Sequence, residues 1–224
     1  MVDRPAPVLF YFDFISPYAF LAWTQVRALA ARCGRSVEPV PVLFAALLDA
    51  HGQKGPAEIP AKRRYLFKDV ARKAHRLGAP AVAPPPAHPF NPLLALRVAS
   101  LPTAPDVRDA AIDALYAAVW TKRQAIDTAD GVAAILASAG LDGPALVAAA
   151  ATPEAKDRLR SATDAAIARG VFGVPTMTVG DELFWGTDSL SDLEAYLRGE
   201  LPAFPDAGWS ELPAAAVRKG SARG

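Results

Sequence analysis

Two short stretches of the chain carry residues whose types and spacing could do chemistry. In the first, Ser16-Pro17 stands between an apolar run, Val8 to Phe14 interrupted only by Asp13, and a segment in which Phe20, Leu21, Val26, Leu29, Ala30 and Cys33 recur at helical spacing before Gly34. Serine then proline is the pattern of an N-cap followed by a first helical residue. The unpaired N–H groups and dipole of such a helix start favour a nearby anion, a thiolate included, by about 0.3–1 kcal/mol. The same two residues also begin ordinary helices that bind nothing. In the second stretch, Val174-Pro175 leads directly into an apolar, β-branched run, where proline is tolerated because it comes first. Were that peptide bond cis, the backbone of Val174 would turn outward unpaired and could meet an extended peptide as though it were one more strand.

Other reactive side chains are more scattered. His51, His75 and His88 show no metal-ligand spacing, and each reads as a solitary surface or loop histidine. Lys62, Arg63, Arg64, Lys68, Arg72, Lys73 and Arg76 share the polar side of one helical pattern, which is the composition of a solvated face or of a surface that meets a substrate carboxylate. Cys33 is the only cysteine, so the chain can form no internal disulfide and no thiolate metal cluster, as suits a reducing compartment.

The totals narrow the function classes. In 224 residues there are 24 basic and 23 acidic side chains, leaving no global field that would gather nucleic acid or an anionic membrane. No stretch approaches the ~18 uninterrupted apolar residues of a membrane span. Met1 to Pro7 is short, contains Asp3 and Arg4, and lacks a small-residue cleavage pattern behind it. The expectation is a soluble, cytoplasmic protein.

The elements that must position these groups follow in order. Val8 to Phe14 reads as a buried strand and Pro17 to Cys33 as a helix. Val37 to Phe44 is extended, and Pro39 and Pro41 confine it to an edge or leave one side unpaired. Ala45 to Asp49 is a helical turn, and a helix opened by Ile59-Pro60 ends at Gly78. The proline-rich segment Ala79 to Pro92 is a stiff loop able to hold Phe90 and Asn91 as one wall of a pocket, or simply a surface crossover. Helices are predicted over Leu93–Leu101, Asp106–Gln124, Ala129–Ala139, Pro144–Ala151 and Pro153–Arg169. Strands Thr176–Val179 and Glu182–Trp185 then flank a Gly-Asp turn, and a capping box at Ser189 to Asp192 begins a last helix ending at Gly199. Residues 45–151 contain no convincing strand and read as an inserted all-helical domain. Residues 1–44 and 152–200 would form one discontinuous α/β domain, and 201–224, rich in Ala, Pro, Gly and charge, a disordered tail.

Strand, helix, strand, helical insertion, helix, strand, strand, helix is the order of a thioredoxin-like fold. YFDFISPYAFLAW (11–23) and GVFGVPTMTVGDELFWGTDSL (170–190), with weaker support from GQKGPAEIPAKRRYLFKD and HPFNPLLALR, resemble the 2-hydroxychromene-2-carboxylate isomerases, relatives of kappa-class glutathione transferases and of DsbA-like oxidoreductases. The resemblance runs over roughly residues 8–198. An oxidoreductase of that fold has Cys-x-x-Cys where this chain has Ser16-Pro17-Tyr18-Ala19, so the protein itself cannot exchange disulfides and the sulfur must come from a ligand.

The resemblance implies that the ligand is glutathione. Ser16 matches the catalytic serine that hydrogen-bonds its sulfur, and Val174 the residue that pairs with its cysteinyl backbone. Trp185, Gly186, Thr187 and Asp188 match the segment that binds its γ-glutamyl end, with Thr187 standing where many relatives have asparagine. Asn91 matches a family asparagine near the substrate, and Lys54, Glu58 and Lys62 fall in a stretch that contributes substrate contacts in some relatives. The implied reaction on a small aromatic carboxylate or α-keto acid is thiolate addition, bond rotation and elimination, with no metal. A homodimer is implied by the same likeness. Two alternatives stay open on the residues: transfer of glutathione to an electrophile, in the manner of the kappa class, and a non-catalytic thioredoxin-fold binding module.

Overall fold

The computed structural model describes residues 6–202 and 204. The tail expected from residue 201 onward therefore lies, save for Leu201, Pro202 and Phe204, outside the described residues. The chain runs β1 (Val8–Phe12), α1 (Pro17–Arg32), β2 (Val37–Pro41), α2 (Phe44–Ala50), α3 (Pro60–Leu77), α4 (Leu93–Ala99), α5 (Pro105–Trp120), α6 (Ala129–Ser138), α7 (Gly143–Ala150), α8 (Pro153–Ala168), β3 (Thr176–Val179), β4 (Glu182–Trp185) and α9 (Leu190–Leu197). The four strands form one sheet in the order β2-β1-β3-β4, with β1 and β2 parallel and the other neighbours antiparallel. This is a mixed α/β, thioredoxin-like arrangement, and from α2 through α8 the described chain is helical.

β1 is central because both its faces are apolar. Val8, Phe10 and Phe12 pack with Leu21, Trp23, Tyr116 and Trp120 in the main core, whereas Tyr11 faces a smaller cluster with Val42, Leu47, Ala166, Val171 and Val174. β2 takes the edge, where Pro39 and Pro41 stand opposite Phe10 and Phe12 without having to donate to a further strand.

Several helices begin with proline at the first turn, α1, α3, α5 and α8 among them. A proline there gives up only an N–H that the helix could not use. Several details differ from the sequence reading: the extended run Val37–Phe44 is a strand only to Pro41, and Phe44 already begins α2. β1 stops at Phe12, because Asp13 uses its carboxylate to close the turn that follows. α5 ends at Trp120 rather than Gln124, because the N–H groups of Lys122 and Gln124 fold back onto the carbonyls of Ala117 and Ala118, and Arg123 takes a positive φ of 56°. The predicted capping box at Ser189 is not formed, since the Ser189 hydroxyl donates instead to the Trp185 carbonyl at 2.6 Å. Among the described residues no helix is long and apolar enough to cross a membrane.

Candidate functional site

The site is assembled where β1 turns into α1. Asp13, just past the strand, is buried and accepts two backbone N–H groups, from Ile15 at 3.0 Å and from Phe44, the first residue of α2, at 2.9 Å. Burial outweighs these two bonds and pushes its carboxyl up to about 7. Ser16 follows as the N-cap: its Oγ accepts the Ala19 N–H at 3.1 Å and donates to the Val174 carbonyl at 3.3 Å. Two residues 158 positions apart are thus joined through the one hydroxyl that the sequence marks as chemical.

Val174 enters from the loop before β3, and its bond to Pro175 is cis. Its carbonyl meets Ser16, while its N–H forms no hydrogen bond among the described residues. Pairing of β3 with β1 begins only at Thr176, so the backbone of Val174 lies beyond the ladder. A buried residue with an unused N–H beside the end of a sheet is where an extended peptide can add its own backbone bonds.

The hairpin end is fastened to both of these parts. Gly186 N–H donates to the Pro175 carbonyl at 2.9 Å, and the Thr187 hydroxyl donates to the Tyr18 carbonyl in the first turn of α1 at 3.0 Å. Gly186 has φ 87°, a conformation open to glycine at little cost. Trp185 stays about half exposed and leans on Phe172, ring centroids 5.1 Å apart. Gly173 makes room for it: a Cβ there would stand 2.7 Å from the indole Nε1.

Asp188 projects with 75% of its side chain exposed, and its Oδ1 lies 2.5 Å from Lys73 Nζ. Lys73 stands apart from the other cations of α3, for which the sequence leaves a solvated face and a carboxylate-binding surface both open. It is buried, because it stands three residues after Val70 and beside Ala74, at the margin of the apolar stripe. Its second neighbour is Asp69 at 3.8 Å, which accepts the Tyr18 phenol at 2.8 Å. Burial, and then Asp69, raise the pKa of that phenol. Lys73, Arg76, Thr187, Asp188 and Ser191 line a cleft of about 280 Å³ beside the start of α1.

Ser16, Val174, Trp185, Gly186, Thr187 and Asp188 are therefore one neighbourhood. The remaining candidates are not joined to it by hydrogen bonds or ion pairs. Lys54 and Lys62 are exposed, the Glu58 carboxylate accepts the Gly55 N–H at 2.5 Å, and Asn91 accepts Leu93 N–H at 3.0 Å ahead of α4. Phe90, the aromatic residue of the expected pocket wall, is partly buried against the core. His88, read from sequence as an isolated loop histidine, bonds Ile15 O at 2.9 Å, directly behind Ser16. No local pattern signals that contact, which spans 73 residues.

A family profile for the DSBA-like thioredoxin domain matches residues 7–198. A 2-hydroxychromene-2-carboxylate isomerase of Sphingobium xenophagum is 33% identical over 192 residues, 84% of this chain and 96% of that protein. Glutathione S-transferase kappa 1 of Homo sapiens is 26% identical, over 89% of this chain and 94% of its own. Among solved structures, a 2-hydroxychromene-2-carboxylate isomerase superposes with a TM-score of 0.78 at 31% identity, covering 86% of this chain and 94% of its own.

Proposed function

Because the chain belongs to the DSBA-like thioredoxin domain family and, within it, to the 2-hydroxychromene-2-carboxylate isomerases, we propose that it is a glutathione-dependent isomerase of unsaturated aromatic carboxylates of that type. The observation that carries the reading is the junction of Ser16 with Val174. A thioredoxin-like helix start holds a hydroxyl instead of a thiol, and the backbone facing it has an N–H to spare. Such a site is built to receive a thiol-bearing peptide rather than to be one.

The residues present fit glutathione. Val174 offers an unpaired N–H to a peptide backbone, and Asp188, paired with Lys73, offers an exposed carboxylate to an ammonium. Turned away from the Val174 carbonyl that it meets here at 3.3 Å, the Ser16 hydroxyl would donate its one proton at the positive end of α1, where a sulfur anion would be favoured. What glutathione supplies when bound is a sulfur nucleophile that is also a fair leaving group, suited to reversible addition across a conjugated alkene. Residues 1–44 and 152–200 would hold the cofactor, and the insertion 45–151, through Asn91, Lys54, Glu58 and Lys62, would face the substrate.

The test is a titration with glutathione, following thiolate ultraviolet absorbance against pH, alongside isomerisation of 2-hydroxychromene-2-carboxylate with and without glutathione. The expected result is saturable binding, activity that requires glutathione, and a thiol pKa depressed below its free value. In Ser16→Ala the depression should shrink by about 1–2 units, the worth of one hydrogen bond to a charged group. Absence of binding, or an unshifted thiol in both proteins, would overturn the proposal. Accumulation of a stable conjugate would move the assignment to glutathione transfer.

A further inference from the structure

The turn between β1 and α1 is held from behind in an unusual way. Three successive carbonyls, those of Asp13, Phe14 and Ile15, each accept a hydrogen bond from an aromatic side chain far away in sequence: Tyr116 Oη at 3.4 Å, Trp120 Nε1 at 2.9 Å and His88 Nε2 at 2.9 Å. Tyr116 and Trp120 lie one helical turn apart on α5 and are fully buried, so their donors are fixed by the core. The third donor is different. His88 belongs to the proline-rich loop, two residues before Phe90 and three before Asn91.

We infer that His88 is a positioning residue, a neutral imidazole whose Nε2–H holds the Ile15 carbonyl and thereby sets the Phe90–Asn91 wall in fixed relation to the Ser16 turn. The tautomer follows from its partner. A carbonyl can only accept, so Nε2 carries the proton and Nδ1 of the neutral ring is bare. Nδ1 is buried and has no partner among the described residues. A proton there would be a charged donor without an acceptor, which is costly in such surroundings. Burial accordingly pushes the His88 pKa down, and the Arg63 guanidinium adds to this, against the opposing pull of the Ile15 carbonyl. The ring is boxed by three others, at centroid distances of 5.7 Å from Phe67, 6.1 Å from Phe90 and 5.7 Å from Trp120. It cannot turn away from Ile15 without disturbing the wall that carries Phe90.

The inference rests on the proposed function for the meaning of the wall, but not for the hold on the turn. The experiment uses the full chain with His88→Leu, which keeps apolar packing and deletes the donor, and His88→Gln, whose amide nitrogen can occupy the place of Nε2. Without ligand, amide hydrogen exchange is read at Ala19 and Phe20, which donate to Ser16 Oγ and to the Ser16 carbonyl. With glutathione and 2-hydroxychromene-2-carboxylate, kcat and KM are measured separately. His88→Leu should speed exchange at both amides by about tenfold and lower kcat by about tenfold, with a smaller change in KM, as expected when one hydrogen bond positions a reacting group. His88→Gln should recover both to within about threefold. Wild-type exchange in His88→Leu would overturn the inference. So would equal impairment of the two variants, because the ring and not its donor would then be what matters. If the wild type shows no glutathione-dependent isomerisation, the functional reading falls, while the exchange measurements still decide whether His88 holds the turn.

Discussion

Asp13 should make the stability of this protein fall as pH rises through neutrality, and Asp13→Asn should remove that dependence. The carboxyl is fully buried, and desolvation lifts its pKa from 3.8 to about 7 in spite of the two N–H groups it accepts. A carboxyl whose folded pKa exceeds its unfolded pKa binds its proton more tightly when folded. The stability that this adds is complete below about pH 4 and is lost as pH rises through about 7. A shift of about 3 units corresponds to roughly 4 kcal/mol, more than half of it falling between about pH 5 and pH 8. Asparagine carries no charge and retains one acceptor oxygen, so one of the two N–H partners is left short at a cost of about 1–3 kcal/mol. That cost is the same at every pH and cancels when two pH values are compared. Urea unfolding of both proteins at about pH 5 and pH 8 should therefore show the variant gaining on the wild type by about 2–3 kcal/mol at the higher pH. Parallel curves would refute the reasoning and would mean that the bonds from Ile15 and Phe44 suffice to keep the carboxylate ionised.

Two further substitutions test how the hairpin is tied to the helix. Thr187→Val keeps the shape but deletes the hydroxyl that reaches the Tyr18 carbonyl, and should cost about 1 kcal/mol in urea unfolding together with a severalfold loss of glutathione affinity by calorimetry. An unchanged affinity would separate the hairpin from the ligand. In Gly173→Ala the new methyl would meet the Trp185 indole well inside contact distance, so that the ring must swing toward solvent. The emission of Trp185, isolated by difference against a Trp185→Phe background, should move to the red, with stability lowered by about 1 kcal/mol.

Much of this arrangement is legible in the chain because it is local. Proline after a capping residue locates the starts of α1 and α8, and the Gly-Asp pair locates the β3–β4 turn. The two chemical motifs, around Ser16 and Val174, are legible for the same reason. Most of what escapes reading depends on partners far along the chain, and the rest on local competition for one hydroxyl. Seven cations on α3 look alike by period, yet only the position of the packing boundary makes Lys73 the buried partner of Asp188. Ser189 has the residue pattern of a capping box, but the carbonyl of Trp185 competes for its hydroxyl. His88 gains its partner only when the proline-rich loop closes over the first turn.

The bonds to Asp13, Phe14 and Ile15 also bear on how such a site could be remodelled. With those three carbonyls occupied from one side by α5 and the proline-rich loop, the turn meets Val174 through a single donor, the Ser16 hydroxyl. The hydrogen-bonding character of that turn is thus set in part by side chains that lie behind it. A change at Phe90 would reach the turn through His88, against whose ring it packs. Redrawing α5 around Tyr116 and Trp120 would remove two of the three donors that hold the turn, and transplanting residues 11–23 alone into another scaffold would carry the letters of the motif without those partners.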